Sequence, residues 1–363
     1  MKNADGQSSQ AIIRVRDLVK EFRRPERIDG KLGGLRTFFT QRQVVTRAVD
    51  GISFDIAEGD LVGYLGPNGA GKSTTIKMLT GVLAPTSGSI KVAGLEPWRD
   101  RRQNAKQIGV VFGQRSQLWW DLPLSDSLRL IGKMYDLDHG IYQRNLDQFT
   151  ELLDMRSFMD TPVRQLSLGQ RMRGDLAAAM LYNPRILYLD EPTVGLDVVA
   201  KERMRSFIAD LNQESKTTVI LTTHDLADVE RLCKRIILID RGMVLHDGDI
   251  GSLKSRYAPY RELVVQLVTA PPQQSQDRSE SMHGRLEMEG VIGCQSDPGQ
   301  LRVQFDPRLV QVAQVIARVV ALYPVSDISI IEPELEGVVR HIYDGNQAAL
   351  GSDIEMRSIR EAS

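Results

Sequence analysis

Cysteine is almost absent from the 363-residue chain: Cys233 and Cys294 stand far apart, with no CxxC pair and no Cys/His cluster. That scarcity excludes a disulfide framework and a zinc site of the usual spacing, and it fits a reducing compartment. Long apolar runs are absent as well. No stretch reaches the roughly 18 consecutive apolar residues that a membrane-spanning helix needs, and the opening MKNADGQSSQ is polar rather than signal-like. The chain is therefore expected neither to cross a membrane nor to be secreted. Neither sign of charge is in surplus: 46 Lys and Arg against 47 Asp and Glu leave a formal net charge of −1. Nucleic-acid binding driven by overall basicity is excluded, and no nucleic-acid partner is expected. Aromatic residues amount to only 6%, with three tryptophans, so a cluster of them carries information.

What the chain does have is a stretch whose spacing dictates a chemistry, Gly66-Pro67-Asn68-Gly69-Ala70-Gly71-Lys72-Ser73-Thr74. Before it, Asp60 to Leu65 has the character of a short buried strand. After it, Ile76, Leu79 and Leu83 recur at helical spacing. Glycines at a strand-to-helix turn let the backbone approach a polyphosphate closely, and the helix start offers N–H donors and the positive end of its dipole. Lys72 would reach the β- and γ-phosphates. Ser73 would give its hydroxyl to Mg²⁺, with Thr74 beside it on phosphate.

The length suits one large α/β domain and a smaller one. Residues 1–10 are expected to be a disordered tail, followed by a strand over Ala11 to Leu18. Arg23 to Arg47 forms a basic, partly amphipathic insertion, either a solvated loop or a surface for anionic lipid, and Ala48 to Ile56 resumes strand character. Further strands are expected over Ser89 to Val92 and Ile108 to Phe112, the latter ending at Gly113 and Gln114. A polar residue at the carboxyl end of a buried strand is a site candidate. Trp119 and Trp120 follow within SQLWWDLP, serving either core packing or an apolar surface that docks a partner. A largely helical segment over about 115–180 contains periodic stretches at Leu124 to Leu137 and Tyr142 to Phe158. It ends in Leu166-Ser167-Leu168-Gly169-Gln170 and the strong helix former RMRGDLAAAM. A serine and a glycine at a helix start can hold an anion.

Ile186 to Leu189 is an apolar strand closed by Asp190 and Glu191, an acidic pair that would be costly there without a nearby cation. Thr218 to Thr222 is another, followed by Thr223, His224 and Asp225 at the same sheet edge. From Gly251 the pattern changes to strands over Leu263 to Leu267, Leu301 to Phe305 and Ser326 to Ile331, with helices over Arg308 to Leu322 and Leu335 to Tyr343. PPQQSQDRSES forms a polar linker between them. This is a small α+β accessory domain over 251–344 without a catalytic constellation, and a frayed tail over 345–363 is expected.

The phosphate loop, Gln114, LSLGQ, ILYLDEP, Gly195-Leu196-Asp197 and His224, in this order over residues 11–250, resemble the nucleotide-binding subunit of an ABC transporter. SQLWWDLP, QLSLGQRMR and GLDVVA narrow the resemblance to ATPases of type-2 ABC exporters. The resemblance implies an α/β P-loop ATPase domain with a mixed sheet core and a helical subdomain, binding ATP and Mg²⁺. It implies that Phe22 stacks on adenine and that Asp190 holds Mg²⁺ through water. Gln114 would sense the metal and the attacking water, Glu191 would be the general base, and His224 would hold the γ-phosphate. Ser167, Gly169 and Gln170 would bind the nucleotide of the opposite subunit, and Asp197 would communicate across the dimer. Leu168 departs from the commonest signature, which has glycine there. Partners implied are a membrane permease and a second, identical subunit, at the cytoplasmic face of the membrane. Alternatives are a soluble ATPase acting on ribosomes or DNA and a non-catalytic, nucleotide-dependent scaffold.

Overall fold

The computed structural model describes residues 11–25, 43–113, 115–258, 260–268, 286 and 288–343. The expected tails at 1–10 and 345–363, most of the basic insertion, Gln114 and the PPQQSQDRSES linker lie outside the described residues. The chain divides into two compact units, Met1–Gly248 and Asp249–Ser363.

The first unit contains two sheets. Strands β1 (Ala11–Pro25) and β2 (Gln43–Ala57) form a long antiparallel ladder that reaches Pro25 opposite Gln43, and β4 (Ser87–Val92) pairs with the other side of β1. Both β1 and β2 run well past the strands expected from composition, so both ends of the basic insertion are sheet. Arg47 explains part of this, because it bonds Glu21 across the ladder at 2.9 Å and so turns the basic residues into cross-strand partners.

The second sheet has the order β5-β6-β7-β3-β8-β9, built from β3 (Leu61–Leu65), β5 (Ile108–Phe112), β6 (Ile186–Asp190), β7 (Thr218–Thr222), β8 (Arg235–Asp240) and β9 (Met243–Asp249). β5 pairs with β6, β6 with β7, and β3 with both β7 and β8, all parallel. Parallel pairing explains the unbroken apolar strands, since both faces are covered. Helix α1 (Lys72–Leu79) contributes Ile76, Met78 and Leu79 to one core that also takes Ile13 and Phe54 from the antiparallel sheet and Tyr188 and Ile237 from the parallel one. Burying a side chain of this size stabilises by about 1.5–3 kcal/mol. Helix α2 (Arg101–Gln107) leads into β5.

Between β5 and β6 lie α3 (Leu124–Met134), α4 (His139–Leu152), two short 3₁₀ turns and α5 (Leu168–Met180). The helical insertion is present, with shorter helices than periodicity alone implies. Asp138 caps α4 by accepting from the Gly140 and Ile141 amides, which moves the helix start ahead of Tyr142. Helices α6 (Val198–Ser215) and α7 (Leu226–Leu232) follow β6 and β7.

The second unit begins with α8 (Ile250–Tyr257) and carries an antiparallel sheet of order β11-β12-β10-β13, from β10 (Arg261–Leu267), β11 (Val291–Asp297), β12 (Gln300–Phe305) and β13 (Val325–Ile331). Helix α9 (Val312–Leu322) packs Val315 and Val319, one turn apart, onto Leu263, Leu301 and Phe305 of that sheet. A last helix, α10, spans 335–343. Strand β11 has no counterpart in the sequence expectations, because only its pairing with β12 marks it: its own side chains are mostly exposed.

Candidate active site

The phosphate loop leaves β3, whose residues Val62 to Leu65 are buried, and enters α1 through Gly71. Gly71 has φ 106 and its added Cβ would lie 2.3 Å from the Ala48 carbonyl oxygen, so only glycine fits. No side chain caps α1, and its first N–H groups are left to whatever binds there. Lys72 folds back over the loop, donating from Nζ to the Gly66 carbonyl at 2.5 Å and the Pro67 carbonyl at 3.2 Å. Burial pushes its pKa down, while the charges of Glu191 and Asp190 hold it up. The ammonium and the two acids therefore belong to one site. Ser73 is exposed at the helix start and Thr74 is half-buried. The base of the loop is pinned by Thr75, a residue sequence reasoning passed over: its buried hydroxyl donates to the Gly71 carbonyl at 3.1 Å and accepts from the Tyr64 hydroxyl at 3.1 Å.

The parallel order sets the remaining charged residues along the same edge. Asp190 closes β6 and accepts a short hydrogen bond from the Thr222 hydroxyl at the end of β7. Glu191 follows in the left-handed region with φ 56, an uncommon place for a residue with a side chain. Its amide donates to the Thr222 carbonyl at 2.8 Å. His224 Nδ1 lies 3.2 Å from Glu191 Oε1, with the ring 69% exposed and the acid 27%. The loop after β5 closes on the same backbone: the Gly113 amide donates to the Asp190 carbonyl at 2.7 Å, and a Cβ on Gly113 would meet the Glu191 carbonyl oxygen at 2.4 Å. The neighbour of Gln114 is thus fixed against the acidic pair.

Ser167, Gly169 and Gln170 stand elsewhere. Ser167 caps α5 in a complete capping box, accepting from the Gln170 amide at 3.2 Å while its own amide donates to Gln170 Oε1 at 2.8 Å. They line a groove of about 930 Å³ with Gly195, Leu196 and Asp197, and no phosphate-loop residue lines it. Asp197 caps α6 by accepting from the Ala200 amide at 2.8 Å. Leu168 packs over Gly195, with a methyl carbon 2.6 Å from where a Cβ there would lie, so the larger residue in the signature is taken up by a glycine facing it.

Phe22 sits on β1 opposite Thr46, two positions along the ladder from Ala48, which touches Gly71; Lys20 Nζ lies 5.4 Å from its ring centroid. The tryptophans are exposed, Trp119 by 37% and Trp120 by 52%, whereas Leu118 beside them is buried. The loop is anchored through Leu118, and its indoles face outward. Four buried acids, Asp175, Asp228, Asp240 and Asp306, went unremarked in the sequence, and two of them tie elements of the site together. Asp228 of α7 accepts from the Thr193 hydroxyl at 2.7 Å and pairs with Arg205 of α6, and Asp175 of α5 holds the loop after β5. A lone acid within an apolar helical stretch was the available signal for Asp175.

A glycine-rich loop between a parallel strand and an uncapped helix, with an acid closing the next strand but one, defines a P-loop nucleotide-binding ATPase. The family model described as ABC transporter matches residues 49–194. The ABC transporter ATP-binding protein NatA of Bacillus subtilis is 33% identical over 215 residues, covering 59% of this chain and 87% of that protein. The Nod factor export ATP-binding protein I of Rhizobium sp. strain N33 is 33% identical over 283 residues, covering 76% and 89%. A dimeric ATP-binding cassette solved in a post-hydrolysis state with ADP and Pi has the same fold, with a TM-score of 0.55 and 24% identity over 66% of this chain and 98% of that one. The chain belongs to the ABC transporter family, as an ATP-binding and ATP-hydrolysing subunit. No helix among the described residues is long and apolar enough to cross a membrane.

Proposed function

We propose that two copies of this protein close around two ATP molecules and drive a separate membrane permease at the cytoplasmic face of the membrane, in the direction of export. The observation that carries this is the separation of two groups of candidate nucleotide-binding residues within one chain. Lys72, Asp190, Glu191 and His224 share one sheet edge, while Ser167, Gly169 and Gln170 line a groove without any phosphate-loop residue. A second copy supplies the missing half to each. Export is supported by the Nod factor export relative and by the SQLWWDLP and QLSLGQRMR segments.

Each side chain has a task its surroundings permit. The backbone of Gly66 to Gly71 and the open start of α1 take the phosphates, and Lys72 moves from the loop carbonyls onto the β- and γ-oxygens. The donor set fits Mg²⁺. The Ser73 hydroxyl, the Gln114 amide oxygen and, through water, the Asp190 carboxylate are hard oxygen donors. When bound, the ion neutralises charge on the phosphates. Glu191 takes the proton of the attacking water, and His224, 3.2 Å away, fixes its orientation and reaches for the γ-phosphate. Phe22 stacks on the base, and Asp197 faces the second copy. The exposed Trp119 and Trp120 dock the permease.

The test is Glu191→Gln, which keeps shape but removes the base. Turnover should fall by about 100-fold or more with ATP binding retained, and Mg-ATP should double the mass seen by light scattering. Near-normal hydrolysis would remove Glu191 from its role. An unchanged mass with nucleotide bound would remove the composite site.

A further inference from the structure

Asp175 is buried in α5 beside Leu176, Ala177, Ala178 and Ala179, all fully buried. An apolar residue would complete that stripe, so packing does not account for an acid at this position. What accounts for it is the loop after β5. One carboxylate oxygen, Oδ1, accepts from the Ser116 hydroxyl at 2.9 Å and from the Gln117 amide at 3.0 Å, and the Gln117 side chain returns a bond to the Asp175 carbonyl at 3.0 Å. The same loop begins at Gly113, bonded to the Asp190 carbonyl. One turn before Asp175, the Arg171 guanidinium lies 5.6 Å from the Trp120 ring centroid, so a single face of α5 supports the loop at two points.

We propose that Asp175 is a positioning residue for ATP hydrolysis: it ties the loop carrying Gln114 to the helix that begins at Ser167, so that the two move as one body. This rests on the roles given above to Gln114 and Ser167. A displacement at Trp120 then reaches Gln114 through α5 rather than being absorbed by a slack loop. Burial pushes the Asp175 pKa up to about 6, opposed by its two hydrogen bonds and by the charge of Arg171, which among the described residues is the charged group acting on it. Both bonds fall on one oxygen, Oδ1, which still accepts when a proton sits on the other oxygen. The clamp therefore holds in both protonation states of Asp175.

The experiment compares wild type, Asp175→Ala and Asp175→Asn as full chains. Three measurements are made on each: steady-state Mg-ATP hydrolysis, peptide-level hydrogen exchange over 115–122, and exchange over β6 as an internal control. Alanine should lower kcat by about tenfold with KM for ATP within about threefold, and should speed loop exchange with β6 unchanged. Asparagine keeps an acceptor oxygen and should restore both to within about threefold of wild type. Loop protection, corrected for intrinsic rates, should not fall between about pH 7.5 and 5.5 in wild type or in the asparagine variant. Unchanged kcat and loop exchange in the alanine variant would overturn the assignment. So would an equal loss of protection in β6, or a failure of asparagine to restore what alanine removes. Should wild type itself not hydrolyse ATP, the active-site assignment fails, and the exchange measurements still decide whether Asp175 clamps the loop.

Discussion

Two helices of this protein begin at glycine- and serine-containing turns, and they end their chains of N–H groups in opposite ways. Helix α1 starts at Gly71 without any side-chain cap, whereas α5 starts at Ser167 with a reciprocal capping box. A helix whose first donors have no partner in its own chain depends on a ligand to complete it. A self-capped helix is stable beforehand and offers hydroxyl and amide groups that are already positioned. On the proposed function, nucleotide affinity would accordingly be concentrated at α1 and recognition by a second copy at α5.

The largest effect should come from breaking the open start. Lys72→Ala removes the point charge that burial already holds in a strained balance, and ATP should bind about 10- to 100-fold more weakly, as charged hydrogen bonds of about 1.5–3 kcal/mol predict. Titration calorimetry measures it, and an unchanged Kd would show that α1 does not receive the phosphates. Ser167→Asp sharpens the contrast, because aspartate caps as well as serine but places a negative charge where the partner's phosphate is proposed to arrive. Thermal stability should hold, and the ATP-dependent dimer of Glu191→Gln should be lost from light scattering. A retained dimer would detach α5 from the nucleotide.

Exposed residues yield smaller changes in stability. Trp119 and Trp120 replaced together by alanine should release the protein from permease-containing membranes while lowering stability by only about 1 kcal/mol, since surface truncations seldom cost more. Loss of several kcal/mol with intact cosedimentation would make the pair core residues. The smallest change belongs to Ser167→Ala, which removes the cap and should cost about 1 kcal/mol in denaturant unfolding. No loss at all would mean the capping box does not contribute.

The same contrast explains what could be read from the sequence. The phosphate loop is legible because polyphosphate binding dictates glycine, lysine and serine at fixed spacing between a buried strand and a helix. Asp190, Glu191 and His224 are legible because each ends an apolar run. Capping at α5 was not read from the sequence, although Ser167 with Gln170 three residues on is the spacing of a capping box. What could not be read depends on which strands become neighbours. Asp175 and Asp228 matter because Ser116, Gln117, Thr193 and Arg205 arrive beside them from other elements. The extended β1–β2 ladder and β11 likewise owe their form to cross-strand partners rather than to their own composition.

The turn between β8 and β9 has a consequence for the protein's birth. Gly242 donates to the Ala70 carbonyl of the phosphate loop and accepts from the Asp50 amide of β2, both at 2.9 Å, and β3 has its two neighbours in β7 and β8. At about 5–20 residues per second of synthesis, Leu238 follows its partner Leu65 by roughly ten to thirty-five seconds. During that interval the nascent phosphate loop has its glycines and its lysine but neither the flanking strands nor the turn that shapes it. ATP can be grasped only once nearly the whole first unit has left the ribosome, and an unpaired, apolar β3 must be kept from other nascent chains until then.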